Sequence, residues 1–393
     1  MLDPKESIKH ILSPTSYDEF FSHILSKKIL IQRGEGAKAR VAIGGRDPKA
    51  ALLAGYAKYA PELTCHSHAP NSPPPKARNV ENEDEFLALI KQYHELGYTV
   101  RFPDVTELSP PLSEFTRALE KQIGNPVGVV VFWSAPTNAA PVHYDEVDVI
   151  VIQLVGTKQW YISNTPTTYP NKWKNTGEGA PPFNDYQTVD VAPGDFIYLP
   201  RGTAHTVKST SESIHLSIGF VPVTVREGMN AVLDHLSDLD IGLRQNIGQR
   251  ADDIINDDKH ATIHQQIRQG LKQLLAQSQS DDFIEDALKR RQAHMIAELP
   301  KLKPTIITSP LQANTIIEHS PHAMVEMIAT TDTVDFCQPG EHILVHKGAE
   351  ESLRFIINTP RFLVSDIPGG LGLDVQVALV SRLLSSGFLK LAD

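Results

Sequence analysis

The residues with the clearest capacity for chemistry are in Pro141-Val-His143-Tyr-Asp145. An imidazole and a carboxylate two residues apart, at the start of a strand, project to the same side, because strand side chains alternate. Both can then meet one metal ion. A third donor is offered by His205, at the end of Pro193-Gly-Asp-Phe-Ile-Tyr-Leu-Pro-Arg-Gly-Thr-Ala-His205. There a strand runs into a Pro-Arg-Gly turn and the next strand begins near the histidine. In a small barrel the two stretches can lie side by side. Two histidines and one carboxylate leave three coordination positions open, the arrangement suited to non-haem Fe(II) and oxygen chemistry. Manganese, nickel and zinc also suit such donors, since affinity alone does not choose among them. No set of four Cys or His offers the closed shell of structural zinc. An isolated H-x-D is a weak signal, and the chain has 16 histidines. The apolar run that follows it, and the specific P-G-D-x-x-Y-x-P-x-G-x-x-H form of the second stretch, add the weight.

The elements that must position these residues lie in a β-rich third. Val127–Trp133, Val147–Val155, Gln159–Ser163, Phe196–Leu199, Thr206–Ser209 and Ile214–Val221 are short β-prone runs separated by Gly and Pro. They predict an antiparallel barrel or sandwich. A long segment, Asn164 to Tyr186, reads as a loop that could carry substrate contacts. Before the barrel, the spacing predicts a short helix around Tyr17–Leu25 capped by Thr15 or Ser16, a strand at 28–32, and a Pro-rich loop at 70–75. A helix at 83–96 closed by Gly97, a strand at 98–102 and a helix at 112–123 follow. After it, 225–298 is polar and helical, with Ile263, Ile267, Leu271, Leu274 and Leu275 on one stripe and Ile284 and Leu288 on another. Residues 305–393 combine strands at 354–358 and 361–365 with a helix at 374–385 and a final short strand, the ending of a winged-helix-like module. Lys303-Pro304 marks the boundary before it.

Composition excludes several classes. With 393 residues, 41% hydrophobic and 21% charged, the chain is neither disordered nor fibrous and has material for two or three domains. No apolar run approaches the roughly 18 residues of a membrane span. The N-terminus lacks the apolar stretch of a secretory signal. Cys65 and Cys337 cannot make a disulfide framework, so a reducing cytoplasm is the expected home. The net charge of −10 argues against gripping nucleic-acid backbone. Residues 301–393 hold seven Lys and Arg against ten acids, so direct DNA binding is disfavoured there too.

The run His143-Tyr-Asp145-Glu-Val-Asp-Val-Ile-Val-Ile-Gln153-Leu-Val-Gly156-Thr-Lys158-Gln-Trp160, with Gly194-Asp195 through His205 and Ile214–Phe220, resembles the cupin-4 branch of the JmjC oxygenases, and more closely the bacterial ribosomal oxygenases. The resemblance is specific over 127–223. It implies an α+β chain built on a double-stranded β-helix (cupin/JmjC jelly roll). Residues 1–224 would be the oxygenase domain with its barrel core at 127–223, residues 225–300 a helical dimerisation region, and residues 301–393 a winged-helix-like domain. It implies Fe(II) as cofactor and 2-oxoglutarate as cosubstrate, with O2 consumed and a protein or peptide side chain hydroxylated. His143, Asp145 and His205 would be the catalytic metal ligands. Lys158, fifteen positions after His143, would pair with the distal carboxylate of 2-oxoglutarate; from spacing alone it reads as an exposed turn lysine. Ser217 matches a small polar position near the metal and cosubstrate, and equally suits a core-facing serine.

One departure stands out. The strand before the H-x-D often supplies Asn or Tyr, and here reads Val129-Val-Val-Phe-Trp133 with Ser134 after it. Either Trp133 or Ser134 substitutes, or the pocket is more apolar. Tyr198 and Trp160 read as barrel packing, Asp195 as a turn stabiliser, His66 and His68 as surface residues, and Glu146 and Asp148 as solvated acids. His215 reads as a core histidine facing the same way as Ser217, with a supporting role behind the metal ligands also open. Two other functions remain compatible: a tailoring hydroxylase of a biosynthetic peptide or small metabolite, and a non-catalytic cupin-type binding or sensor protein. Ribosomal-fragment-dependent succinate release separates the first from the leading reading, and absence of any 2-oxoglutarate turnover the second.

Overall fold

The structure, a computed structural model, describes residues 4–68, 72–165, 182–247, 257–321 and 323–392. The chain divides into two compact units, residues 2–221 and 222–393.

The first unit starts with α1 (Pro4–Leu12) and α2 (Tyr17–Ser26), the latter begun by Ser16, whose hydroxyl accepts from the Glu19 amide. Then come β1 (Leu30–Gln32), α3 (Ala37–Ala42), α4 (Pro48–Ala54), α5 (Tyr56–Tyr59), β2 (Thr64–His66), α6 (Glu83–Glu95), β3 (Thr99–Phe102) and α7 (Pro110–Ile123). Asn82 and Ser109 cap α6 and α7 through the same kind of side-chain bond. Gly97, at φ +85°, turns the chain out of α6. The barrel strands are β4 (Gly128–Ser134), β5 (Asp148–Val155), β6 (Lys158–Ser163), β7 (Tyr186–Val191), β8 (Phe196–Leu199), β9 (His205–Ser209) and β10 (Ser213–Phe220).

These strands form two antiparallel sheets, one ordered β1-β8-β5-β10-β4-β3-β2 and the other β7-β6-β9. Period-two alternation decides what each face does. Ile150, Ile152, Phe196, Tyr198, Leu216 and Ile218 point to the helical layer, where Phe20, Phe86 and Leu119 share their cluster. The alternate residues Val149, Val151, Ile197 and Leu199 point the other way, into a cluster with Trp160, Ile162, Val189 and Val207 of the smaller sheet. The central strands are therefore buried on both faces and read as nearly continuous apolar runs. This is the expected α+β jelly-roll architecture.

In the second unit, α8 (Val225–Leu239), α9 (Asp257–Gln277) and α10 (Asp281–Glu298) precede β11 (Ile316–His319), β12 (Glu326–Ala329), β13 (Thr333–Gln338) and β14 (Glu341–His346). The chain ends with α11 (Glu350–Asn358), β15 (Arg361–Leu363), α12 (Leu373–Ser385) and β16 (Leu389–Leu391). The sheets are β12-β13-β14 and β15-β11-β16. The strand expected at 354–358 is instead helical. Leu353 and Ile356, three apart, both enter the core, and Arg354 bonds Glu350 one turn back, a helical spacing that the β-prone Phe-Ile-Ile run conceals.

Candidate metal centre and cosubstrate pocket

His143 and His205 are brought together by backbone, not by a continuous strand. The His143 amide donates to the His205 carbonyl at 3.0 Å and the His205 amide returns the bond at 2.8 Å. The two rings stand 4.4 Å apart between centroids as a result. Asp145 lies outside any strand, since β5 starts only at Asp148. The alternation argument therefore does not explain its position. A turn does, fixed where the Gly202 amide donates to the Asp145 carbonyl at 2.8 Å. Asp145 carboxylate oxygens lie 4.0 Å from His143 Nε2 and 3.7 Å from His205 Nε2. One donor atom from each of the three side chains falls within 4.8 Å of the others.

The donor set fits a divalent metal. His143 Nδ1 bonds the Pro141 carbonyl at 2.8 Å and His205 Nδ1 the Thr203 carbonyl at 2.9 Å. A carbonyl only accepts, so each Nδ1 carries the proton and each Nε2 presents its lone pair to the centre. Burial, and then the neighbouring His143, push His205 down to about 4, which keeps it a neutral ligand. The site is lopsided. The His205 side chain is 5% exposed, whereas those of His143 and Asp145 are 41% and 38% exposed. One side is thus sealed and the other is open to solvent.

Lys158 opens β6 just after Gly156, which turns at φ +66°. It is not an exposed turn lysine: its exposure is 2%. Its Nζ donates to Ser134 Oγ at 2.9 Å, and Ser134 also meets Thr99 Oγ1 at 3.0 Å. Among the described residues no carboxylate pairs with it. Desolvation pulls its pKa down to about 7. A buried ammonium with one neutral partner is a costly arrangement that an incoming carboxylate relieves. Of the two alternatives left by the sequence, Ser134 is the polar residue on this strand that faces Lys158. Trp133 instead donates its indole N–H to Glu212 at 3.0 Å.

Two further histidines, His66 and His215, lie beside Lys158 and the metal ligands. His66, expected on the surface, is held down to about 4 by burial first, then by Lys158 and His143. His215 is 3% exposed and pushed well below its ordinary value by burial, then by Lys158, His66 and His205. A run of ring contacts joins them: His66 to Phe132 at 5.3 Å, Phe132 to His215 at 5.1 Å, His215 to Trp160 at 5.7 Å, and Trp160 to His205 at 5.6 Å. Buried His215 Nδ1 and Trp160 Nε1 have no hydrogen-bond partner. No motif flags His66. Only the pairing of β2 with β3 carries it to the pocket.

Ser217 shares the His215 face of β10 and is half-buried, and no hydrogen bond joins it to the metal ligands or Lys158 among the described residues. Asp195 accepts from the Ala192 amide at 2.9 Å, a turn bond as expected. Asp148 is not a solvated acid. It is 3% exposed and accepts from Tyr198 Oη at 2.9 Å and the Arg201 amide at 3.2 Å. Of the loop Asn164–Tyr186, residues 166–181 lie outside the described residues.

Comparison with known proteins matches residues 108–228 to the JmjC domain. The chain is 24% identical over 310 residues to ribosomal oxygenase 2 of Mus musculus, covering 72% of this chain and 65% of that protein. It is 22% identical to the bifunctional lysine-specific demethylase and histidyl-hydroxylase NO66 of Aedes aegypti, covering 95% of this chain and 63% of that one. The chain thus spans slightly under two thirds of the length of these relatives. Among solved structures, the ribosomal oxygenase YcfD of Escherichia coli in complex with cobalt and succinic acid superposes with a TM-score of 0.55 at 16% identity, over 96% of this chain and 98% of that one.

Proposed function

We propose that this protein, whose residues 108–228 match the JmjC domain and which is 24% identical to a ribosomal oxygenase over 310 residues, is an Fe(II)- and 2-oxoglutarate-dependent dioxygenase that hydroxylates a protein or peptide side chain, with ribosomal proteins as the substrate class. One observation carries the reading. Three metal-donor atoms converge at a face open to solvent, and a fully buried lysine on the adjoining strands has no carboxylate partner among the described residues.

His143, Asp145 and His205 hold the iron, and Lys158 with Ser134 takes the distal carboxylate of the cosubstrate. Bound iron supplies the oxidising chemistry, in which O2 and 2-oxoglutarate yield succinate, carbon dioxide and a hydroxylated C–H. The chain's own part is positional. The Pro141 and Thr203 carbonyls fix the ring orientation of the two histidines. The His205 side, walled by Trp160, His215 and Phe132, excludes water. Asp145 and His143 border the open side by which a substrate side chain enters. Neutral His66 and His215 add no positive charge beside Lys158, so Lys158 remains the cation that fixes the orientation of the dicarboxylate.

The reading extends to the second unit. Residues 225–300 serve dimerisation, supported by the exposed stripes Val225, Met229, Leu233 on α8 and Ile267, Leu271, Leu275 on α9. Residues 301–393 form a winged-helix-like domain, supported by the order helix α11, strand β15, helix α12, strand β16. Its acidic balance favours protein over DNA as its contact. No helix among the described residues is long and apolar enough to cross a membrane, and a cytoplasmic enzyme suits a ribosomal substrate. The test is mass spectrometry of ribosomal protein fragments incubated with enzyme, Fe(II) and 2-oxoglutarate. One fragment should gain a single oxygen with wild type and none with His143→Ala. Succinate release indifferent to every fragment would remove the ribosomal substrate.

A further inference from the structure

A second set of donor atoms converges in the second unit, on the sheet β12-β13-β14. Asp335 and Cys337 are two apart on β13, so they share a face, and Cys337 sits directly across from His342 on β14. The intervening Val334 and Phe336 point the other way, into the apolar core. Cys337 Sγ lies 3.3 Å from His342 Nδ1, and Asp335 Oδ2 lies 3.0 Å from the same nitrogen. All three donors fall within 4.8 Å of one another.

Two features are poorly explained by hydrogen bonding alone. A single ring nitrogen is approached by both sulfur and carboxylate, yet it has one proton to give. Asp335 Oδ1 is buried with no hydrogen-bond partner, and an orphaned carboxylate oxygen is costly. Burial and Asp335 hold the Cys337 thiol well above its ordinary value, so a cation at the common point must displace the thiol proton to solvent; it then engages the sulfur, the imidazole and the carboxylate together. Tetrahedral zinc, with bonds of about 2.3 Å to sulfur and about 2.0 Å to nitrogen, places those two donors roughly 3.5 Å apart. The observed Sγ–Nδ1 separation is close to that.

We propose that Asp335, Cys337 and His342 form a divalent metal site of zinc type, built on the β13–β14 pair and independent of the triad in the first unit. One sulfur, one nitrogen and one oxygen donor favour zinc over calcium or magnesium, which take oxygen shells. Cys337 is fully buried while the His342 side chain is 41% exposed, so the fourth position is left to water on the His342 side. With three chain ligands on adjacent strands, the ion clamps the hairpin that α10 packs against.

Cobalt(II) added to the metal-free full chain tests this directly. The triad contains no sulfur, so thiolate-to-cobalt charge-transfer absorption reports on this site and not on that one. We expect the band to saturate by two equivalents, because the triad takes cobalt as well, and zinc to displace it and raise Tm. Cys337→Ser and His342→Ala should each abolish the band. The half-exposed His342 makes its variant the one that keeps wild-type circular dichroism. No sulfur band in the wild-type chain, or a band that survives in both variants and so belongs to Cys65, would overturn the proposal and leave a hydrogen-bonded trio only.

Discussion

Lys158 carries the most specific consequence at the scale of single residues. Its ordinary value of 10.5 falls to about 7, with desolvation as the cause. The dicarboxylate needs it protonated. Above about pH 7 binding must therefore take up a proton, and the KM for 2-oxoglutarate should rise with pH by up to about tenfold per unit. Below that pH it should flatten. Stability of the free protein follows the opposite sign: the unfolded chain binds more protons between pH 7 and 10.5, so this residue's penalty shrinks as pH rises through that window. Lys158→Ala should raise the KM about 10- to 100-fold, the equivalent of a lost charge-assisted bond. Lys158→Arg should remove the pH dependence, because a guanidinium stays charged. A KM insensitive to pH and to Lys158→Ala would take the residue out of its role. This lysine was legible only through resemblance. Its sequence neighbourhood, Gly-Thr-Lys-Gln, is that of an exposed turn, and burial is a property of the sheet pairing.

At the scale of elements, what positions Lys158 is the turn between β5 and β6. A Cβ at Gly156 would sit 1.9 Å from the Glu212 carbonyl oxygen, with φ at +66° besides. Both the close approach and the backbone conformation demand glycine. Gly156→Ala should destabilise the protein by about 1–3 kcal/mol and, by shifting β6, raise the KM for 2-oxoglutarate. A thermal melt read beside the kinetics checks this, and an unchanged Tm and KM would show that the turn has slack. Six of the seven barrel strands were legible as short β-prone runs, and their observed edges differ from the expected ones by at most one residue. What stayed hidden has local physical reasons. Helices α3 to α5 are short and Ala-rich, without a long apolar stripe. Strands β11 to β14 alternate weakly, and β7 falls at the end of what read as loop. His66 reaches the pocket through a three-residue strand whose partner lies more than thirty positions on, a pairing no local pattern encodes.

For the whole molecule, the second unit leaves apolar side chains in water. Val225 is 83% exposed, Met229 62%, Leu271 58% and Leu275 66%. Repeats of four residues along α8 and α9 make these stripes, not scattered exceptions. If a second copy covers them, the wild-type chain should sediment as a dimer at micromolar concentration. Met229→Lys with Leu271→Lys should give a folded monomer. A monomeric wild type would remove the dimer from this account. The catalytic consequence is separable, because every side chain of the triad and Lys158 lies within residues 2–221.

His143, Asp145 and His205 are proposed to hold one iron ion with room left for a 2-oxo acid. Anaerobic titration of the apoprotein with Fe(II) and 2-oxoglutarate reads this directly, through the visible absorption that arises when a 2-oxo acid chelates iron. The absorption should saturate at one iron per chain in the wild type and vanish in His143→Ala and His205→Ala. A wild-type protein that binds iron without that absorption, or variants that retain it undiminished, would contradict the claim.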